Sequence, residues 1–159
     1  MLISKELNKA LNVQIGREME ASNQYVSIAA YFEGRFLKKL AGLFFKQAAE
    51  ETEHAMKFVH YILDAGGQVE IPALAAPKST YASAEEAVSM AVKWETDVTR
   101  YIYDLVAITE KEKDYIGREF LNWYVTEQLE EVSSMTTLLG VIQQTGDKNL
   151  IMVEGYLSH

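Results

Sequence analysis

The sequence predicts an all-α protein: a four-helix bundle with one long crossover between the second and third helices and a short fifth helix at the C-terminus. Three observations carry that prediction. The 159 residues include only two prolines, Pro72 and Pro77, and both fall in one short stretch. Outside it, apolar residues recur at intervals of three and four, the period of one helix face. Glycines and cap-forming residues divide this periodic sequence into four long pieces and one short one.

Ser4 is the expected N-cap of a first helix from about Lys5 to Glu33, which stops at Gly34. Its apolar stripe includes Leu7, Leu11, Ile15, Met19, Tyr25 and Phe32. The second helix is expected from roughly Phe36 to Ala65, ending at Gly66-Gly67. Gln68 to Ala82 holds both prolines and shows no helical period. Ser83 and Glu86 then have the spacing of a capping box and open a third helix from about Ala84 to Glu110. The charged turn Lys111-Glu112-Lys113-Asp114 leads into a fourth, from about Tyr115 to Thr145, which Gly146 stops. Asp147 to Leu157 is short and amphipathic, a candidate fifth helix.

Connection lengths give the topology. Short breaks make helices one and two antiparallel, and likewise three and four. The middle connection, about seventeen residues, reaches at most roughly 55 Å. A helix of about 28 residues is roughly 42 Å long. The connection can therefore run the length of the bundle and leave helices two and three parallel. One domain, residues 1–159, is expected from this length.

Composition narrows the partners. Fifteen Lys and Arg against 23 Asp and Glu leave a formal charge of −8, which speaks against nucleic acid or an anionic membrane surface as a partner. With no cysteine there are no disulfides, thiolate metal sites or thiol catalysis. No apolar run of about 18 residues and no leader peptide is visible, so a cytoplasmic protein is the expectation.

The chemistry lies in residues that interrupt the core stripes. Positions seven apart on a helix lie nearly on one line. One such line reads Leu11, Glu18, Tyr25, Phe32; the second helix gives Leu37, Phe44, Glu51, Phe58 and, beside it, Leu40, Gln47, His54, Tyr61. The third gives Val88, Glu95, Ile102, and the fourth Leu121, Gln128, Met135, Ile142 next to Tyr124, Glu131, Leu138. Glu18, Glu51, Glu95 and Gln128 all fall near the middle of their helices, so a bundle brings them to one layer. Buried carboxylates without counter-charge cost several kcal/mol each, and no Lys or Arg lies on these lines. Two divalent cations would supply the charge, and Glu51 with His54, three apart on one face, is a suitable pair of ligands. If these glutamates were merely solvated, the Phe, Leu, Ile and Met residues around them would have to face water as well.

Glu18 with Tyr25 seven later, Glu50-Glu51-x-x-His54, Trp94-Glu95 and Trp123-Tyr124-Val125-x-Glu127-Gln128-x-Glu130-Glu131 together resemble the ferritin family, in its haem-free bacterial and archaeal branch. The resemblance covers essentially the whole chain. It implies an iron-storage protein that oxidises Fe2+ with O2 or H2O2 at a di-iron ferroxidase centre and keeps Fe3+ as a mineral. Glu18, Glu51 and His54 would hold the first iron. Glu51 would bridge to a second, held by Glu95 with help from Glu131. Gln128 would hydrogen-bond near that second iron, and Tyr25 would donate an electron or a hydrogen bond. Glu50, Glu127 and Glu130 resemble a third iron site reached through Glu131.

The general di-iron bundle carries a second Glu-x-x-His on its fourth helix. Here that place reads Gln128-x-x-Glu131, which suits a weakly held second iron in transit. Bacterioferritins place a haem-ligating Met directly after the bridging Glu; Thr52 stands here, so no haem is expected. The family's shells of twenty-four subunits imply a homo-oligomeric cage, with Asp147 to Leu157 lining a shell axis. His60 and His159 are expected at the surface or tail, and Trp94 and Trp123 as packing anchors. Two other readings of the same residues are a di-iron oxidase or peroxidase without storage, and a metal-free helical scaffold.

Overall fold

A computed structural model describes residues 1–158; His159 lies outside the described residues, and with it the tail position expected for that histidine. Among the described residues there are four long helices, α1 (Lys5–Gly34), α2 (Lys38–Asp64), α3 (Ala84–Glu112) and α4 (Tyr115–Thr145). A single 3-10 turn, Asp147–Asn149, leads into the short α5 (Leu150–Leu157).

Three N-termini are closed locally. The Ser4 hydroxyl accepts from the Leu7 amide at 3.0 Å, Ser83 from Glu86 at 3.1 Å, and Asp114 from Gly117 at 2.8 Å. Each such cap contributes about 1 kcal/mol. The second helix is different. Its N-cap position is Leu37, which has no side-chain acceptor. The carboxylate of Glu154 on α5 instead accepts from the Lys39 and Leu40 amides, both at 2.9 Å. Asp147 does a similar service for α3, accepting from the Ala84 amide at 2.9 Å while it pairs with Arg35 at 3.2 Å.

Several helix boundaries differ from the sequence expectation by one or two residues. Phe36 does not begin α2; it adopts a left-handed backbone, φ 64°, with its amide on the Glu33 carbonyl and that of Leu37 on Phe32. That is the Schellman ending, usually made with glycine at the left-handed position. Gly34, expected as the stop, is the last helical residue. The third helix likewise runs past Glu110 to Glu112 and ends on left-handed Lys113, φ 55°.

The topology is the one expected. The Leu2 amide donates to the Ala65 carbonyl at 2.8 Å, joining the start of α1 to the end of α2. The Ser4 hydroxyl donates to Glu112 at 2.8 Å, joining it to the end of α3. Helix α1 is therefore antiparallel to both, and α2 and α3 are parallel. Residues 66–82 cross the length of the bundle along α1, whose side chains hold their backbone. Asn8 and Asn12 hold Gln68 and Glu70, Glu20 holds Ala75 and Gln24 holds Lys78. Pro72 rests on Gly16, where any Cβ would collide with its ring.

The apolar core is in two parts. One, around Phe32, Phe44, Val88, Met135 and Ile142, fills the end where α5 packs. The other, around Leu11, Ile15, Phe58, Ile102 and Leu121, fills the opposite end. A layer of buried polar side chains separates them, and Trp94 packs against both.

Candidate metal centre

The interrupted stripes are all core. Glu18, Glu51, Glu95 and Glu131 are at most 4% exposed, and Gln128 and His54 are at 3% and 5%. The four glutamates and Gln128 sit between apolar neighbours one heptad away, such as Leu11 and Tyr25 around Glu18, or Phe44 and Phe58 around Glu51. Packing of those neighbours leaves the polar side chains no direction but inward.

Three sets of side chains offer ligand atoms within 4.8 Å of one another: Glu18, Glu51 and His54; Glu51, Glu95 and Glu131; and His54, Glu127 and Glu131. Glu51, His54 and Glu131 each belong to two sets, so the three positions form a triangle with shared corners. The His54 Nδ1 lies 3.3 Å from one Glu51 oxygen and 4.0 Å from Glu18 Oε2. Glu18 Oε2 is buried and has no hydrogen-bond partner. An orphaned buried oxygen of this kind calls for a cation.

A surrounding ring of contacts fixes the ligands. Tyr25 donates to Glu95 Oε1 at 2.5 Å, and Gln128 donates to Glu95 Oε2 at 3.2 Å. Tyr25 thus acts on Glu95 across the bundle rather than on Glu18 of its own helix. Tyr124 donates to the His54 carbonyl at 2.7 Å, and the Trp123 ring meets His54 edge-on, 5.2 Å between centroids. Gln14 donates to Glu18 Oε1 at 3.1 Å and accepts from Arg17 at 3.3 Å. Gln47 donates to Glu51 Oε1 at 3.1 Å and to Glu131 Oε2 at 2.5 Å.

The electrostatics follow from burial. Burial, then the Glu51 charge, holds the Glu18 carboxyl well above its ordinary value. Burial and then Glu51 push Glu95 to about 8; burial and then Glu95 push Glu131 to about 9. Glu51 is also pushed up by burial, but its close contacts with His54, Glu18 and Gln47 outweigh it and leave that carboxyl lowered. Burial, then Glu95, raises the Tyr25 phenol. Without a cation, then, Glu51 favours its charged form, while Glu95 and Glu131 hold protons at neutral pH and Glu18 is shifted in the same direction.

Glu50, Glu127 and Glu130 surround a cavity of about 270 Å³ together with Lys46, Gln47 and Glu131. Glu127 joins one of the three ligand sets; among the described residues, Glu50 and Glu130 join none. Glu50 is half-buried, and burial raises its carboxyl. Of the other residues singled out, His60 is exposed and Trp94 packs as expected. Trp123 is 39% exposed, with the Lys57 ammonium 3.3 Å from its ring centre, and so is a surface lid on His54 more than an anchor. Gln14 went unread in the sequence, although it lies four residues before Glu18 on the same face. Gln47 stood on the His54 line, but nothing in the sequence said which carboxylates it would join.

A four-helix bundle with carboxylates and one histidine converging from every helix at mid-length defines a class, the ferritin-like metal-binding bundles. The ferritin family model, described as a ferritin-like domain, matches residues 8–145. The chain belongs to the ferritin family. It is 38% identical over 145 residues to ferritin BfrB of Mycolicibacterium smegmatis, a match covering 91% of this chain and 80% of that one. It is 37% identical over 146 residues to the bacterial non-heme ferritin of Staphylococcus aureus, covering 92% and 88%. Among solved structures, the open pore ferritin of the hyperthermophilic archaeon Archaeoglobus fulgidus superposes with a TM-score of 0.94 at 33% identity, covering 99% of this chain and 97% of that one.

Proposed function

We propose that this chain is an iron-storage ferritin: a ferroxidase that oxidises Fe2+ at a di-iron centre within each subunit and stores Fe3+ as a mineral inside a homo-oligomeric cage of twenty-four subunits in the cytoplasm. The observation that carries the reading is the pair of adjoining ligand sets sharing Glu51, with the Glu18 oxygen left unpartnered beside them. The first Fe2+ binds Glu18, Glu51 and His54. The second binds Glu51, Glu95 and Glu131, and a third iron passes through the cavity of Glu50, Glu127 and Glu130.

Binding displaces protons that Glu95 and Glu131 hold in the metal-free protein, because a cation replaces them as the neutralising charge. Each Fe2+ then gives up one electron. Two electrons and two protons take O2 to H2O2, or take H2O2 to two waters, and no electron is left over. Oxygen-rich ligation favours the harder Fe3+ product. Tyr25 and Gln128 hold Glu95 in place through this change, each by one hydrogen bond. Fe3+ leaving the centre hydrolyses to a hydrated oxide and releases protons to solvent. The centre carries no haem in this reading.

The test is Fe2+ oxidation followed by absorbance, with Fe2+ added aerobically to metal-free protein at two and then several tens per subunit. Glu51→Ala, which removes the shared ligand, is the control. Fast oxidation at the low ratio, lost in the variant, with Fe3+ kept soluble at the high ratio, is the expected result. Oxidation that stops at two irons would replace storage by a di-iron oxidase. Equal rates in protein and variant would sink the site.

A further inference from the structure

A single amide ties together two of the carboxylates from different helices. Both partners of Gln47 Nε2, Glu51 Oε1 and Glu131 Oε2, are carboxylate oxygens, so only the amide's donor end fits there. Gln47 is 8% exposed and also lines the cavity of Glu50, Glu127 and Glu130. It stands where the buried layer meets the outward-facing acidic cavity.

Glu131 is claimed by two ligand sets. With Glu51 and Glu95 it completes one position; with His54 and Glu127 it completes another. A glutamate has a mobile stem, and nothing on α4 itself settles which set it serves. Gln47 does, because its amide holds Glu131 within reach of Glu51. The geometry points to Gln47 as the positioning residue that commits Glu131 to the Glu51–Glu95 metal position and withholds it from the position with His54 and Glu127. The inference rests on the two-metal reading above. It deepens that reading by making the second metal's affinity depend on an amide that need not touch the metal. Outer contacts of this kind hold ligands oriented, and losing one costs about 10- to 100-fold in metal affinity.

The test titrates metal-free protein with Co2+, which is not oxidised under these conditions, and reads visible absorbance. Gln47→Met keeps the length and apolar bulk and removes the donor. The first Co2+ should weaken only by the loss of the bond to the shared Glu51, while the second, which loses the hold on both Glu51 and Glu131, weakens further, by about tenfold or more. Adding Glu127→Ala to Gln47→Met removes the competing position and should recover part of the second affinity. A packing role alone would not produce that recovery. Gln47→Asn, with its amide drawn back by one methylene, should show the same loss if the Met variant fails to fold. Unchanged second-ion affinity in Gln47→Met, or a loss that Glu127→Ala leaves untouched, overturns the assignment. Fewer than two Co2+ bound by the parent protein would instead remove the two-metal reading beneath it.

Discussion

Glu95→Gln should stabilise the metal-free protein at neutral pH and weaken the metal-loaded one. The Glu95 carboxyl is pushed from an ordinary 4.5 to about 8, by burial first and then by the Glu51 charge. A tenfold change in a proton-binding constant corresponds to about 1.4 kcal/mol. At pH 7 the folded protein keeps this carboxyl protonated while the unfolded chain ionises it, which costs about 3 kcal/mol of stability. The sign follows from the raised value. Stability is fully present below 4.5 and is lost as pH rises through about 8. Glutamine has no proton to take up. Its carbonyl keeps the Tyr25 bond, but its amide faces the Gln128 donor and forfeits about 1 kcal/mol there. The net gain at pH 7 is about 2 kcal/mol, or roughly 4–8 °C in Tm for a chain of this size.

Urea denaturation of metal-stripped protein from about pH 5 to 8 measures it. The advantage of the variant should be near zero at the acid end and grow with pH. Saturating Zn2+ should then reverse the order, since the variant lacks a ligand for the second position. A variant less stable than the parent at pH 7, or a difference that is flat with pH, would refute the buried-acid reasoning.

Loading metal-free protein with Zn2+ at pH 7 should release more than one proton per subunit, from Glu95 and Glu131 together with Glu18, whose carboxyl is also raised, measured with an indicator dye in weak buffer. The release from Glu95 and Glu131 should vanish well above pH 9, where both are already ionised. Glu154→Ala should cost about 1–2 kcal/mol, since it uncaps α2 as well as loosening α5; chemical denaturation reads this, and a change near zero would discount the cap. Phe36→Gly should stabilise by about 1 kcal/mol by relieving the left-handed backbone, because the exposed ring makes up for little of that cost. A loss of stability there would mean that the ring packs against something outside the subunit.

The bundle was legible because its signals are local and repeated: caps at Ser4 and Ser83, a heptad of large apolar residues, and one proline-bearing break. The layer of ligands could be read for the same reason. A carboxylate between Phe44 and Phe58 on a buried line has no bland place to go. Where the sequence fell short, the deciding contact came from far along the chain. Nothing near Leu37 says that Glu154 caps α2, and Phe36 in a left-handed turn is outvoted by every propensity pointing to Gly34. Tyr25 reads as a neighbour of Glu18 along its helix, yet the bundle's cross-section hands its hydroxyl to Glu95. The grouping of Glu127 with His54 likewise depends on how α2 faces α4, which no heptad specifies.

A core split by a polar layer also divides the molecule's cooperativity. Residues around Leu11, Phe58 and Ile102 form one apolar cluster and those around Phe32, Phe44 and Met135 another. Continuous helices cross the seam between them, but among the described residues no apolar side chain except Trp94 packs on both sides. Two such units can open separately, each below the free energy of global unfolding. Cations set into the seam would rivet all four helices at one level, so backbone amides that exchange as two groups in the stripped protein would exchange as one when loaded. The same ions that are cargo would then be what makes the subunit a single cooperative body.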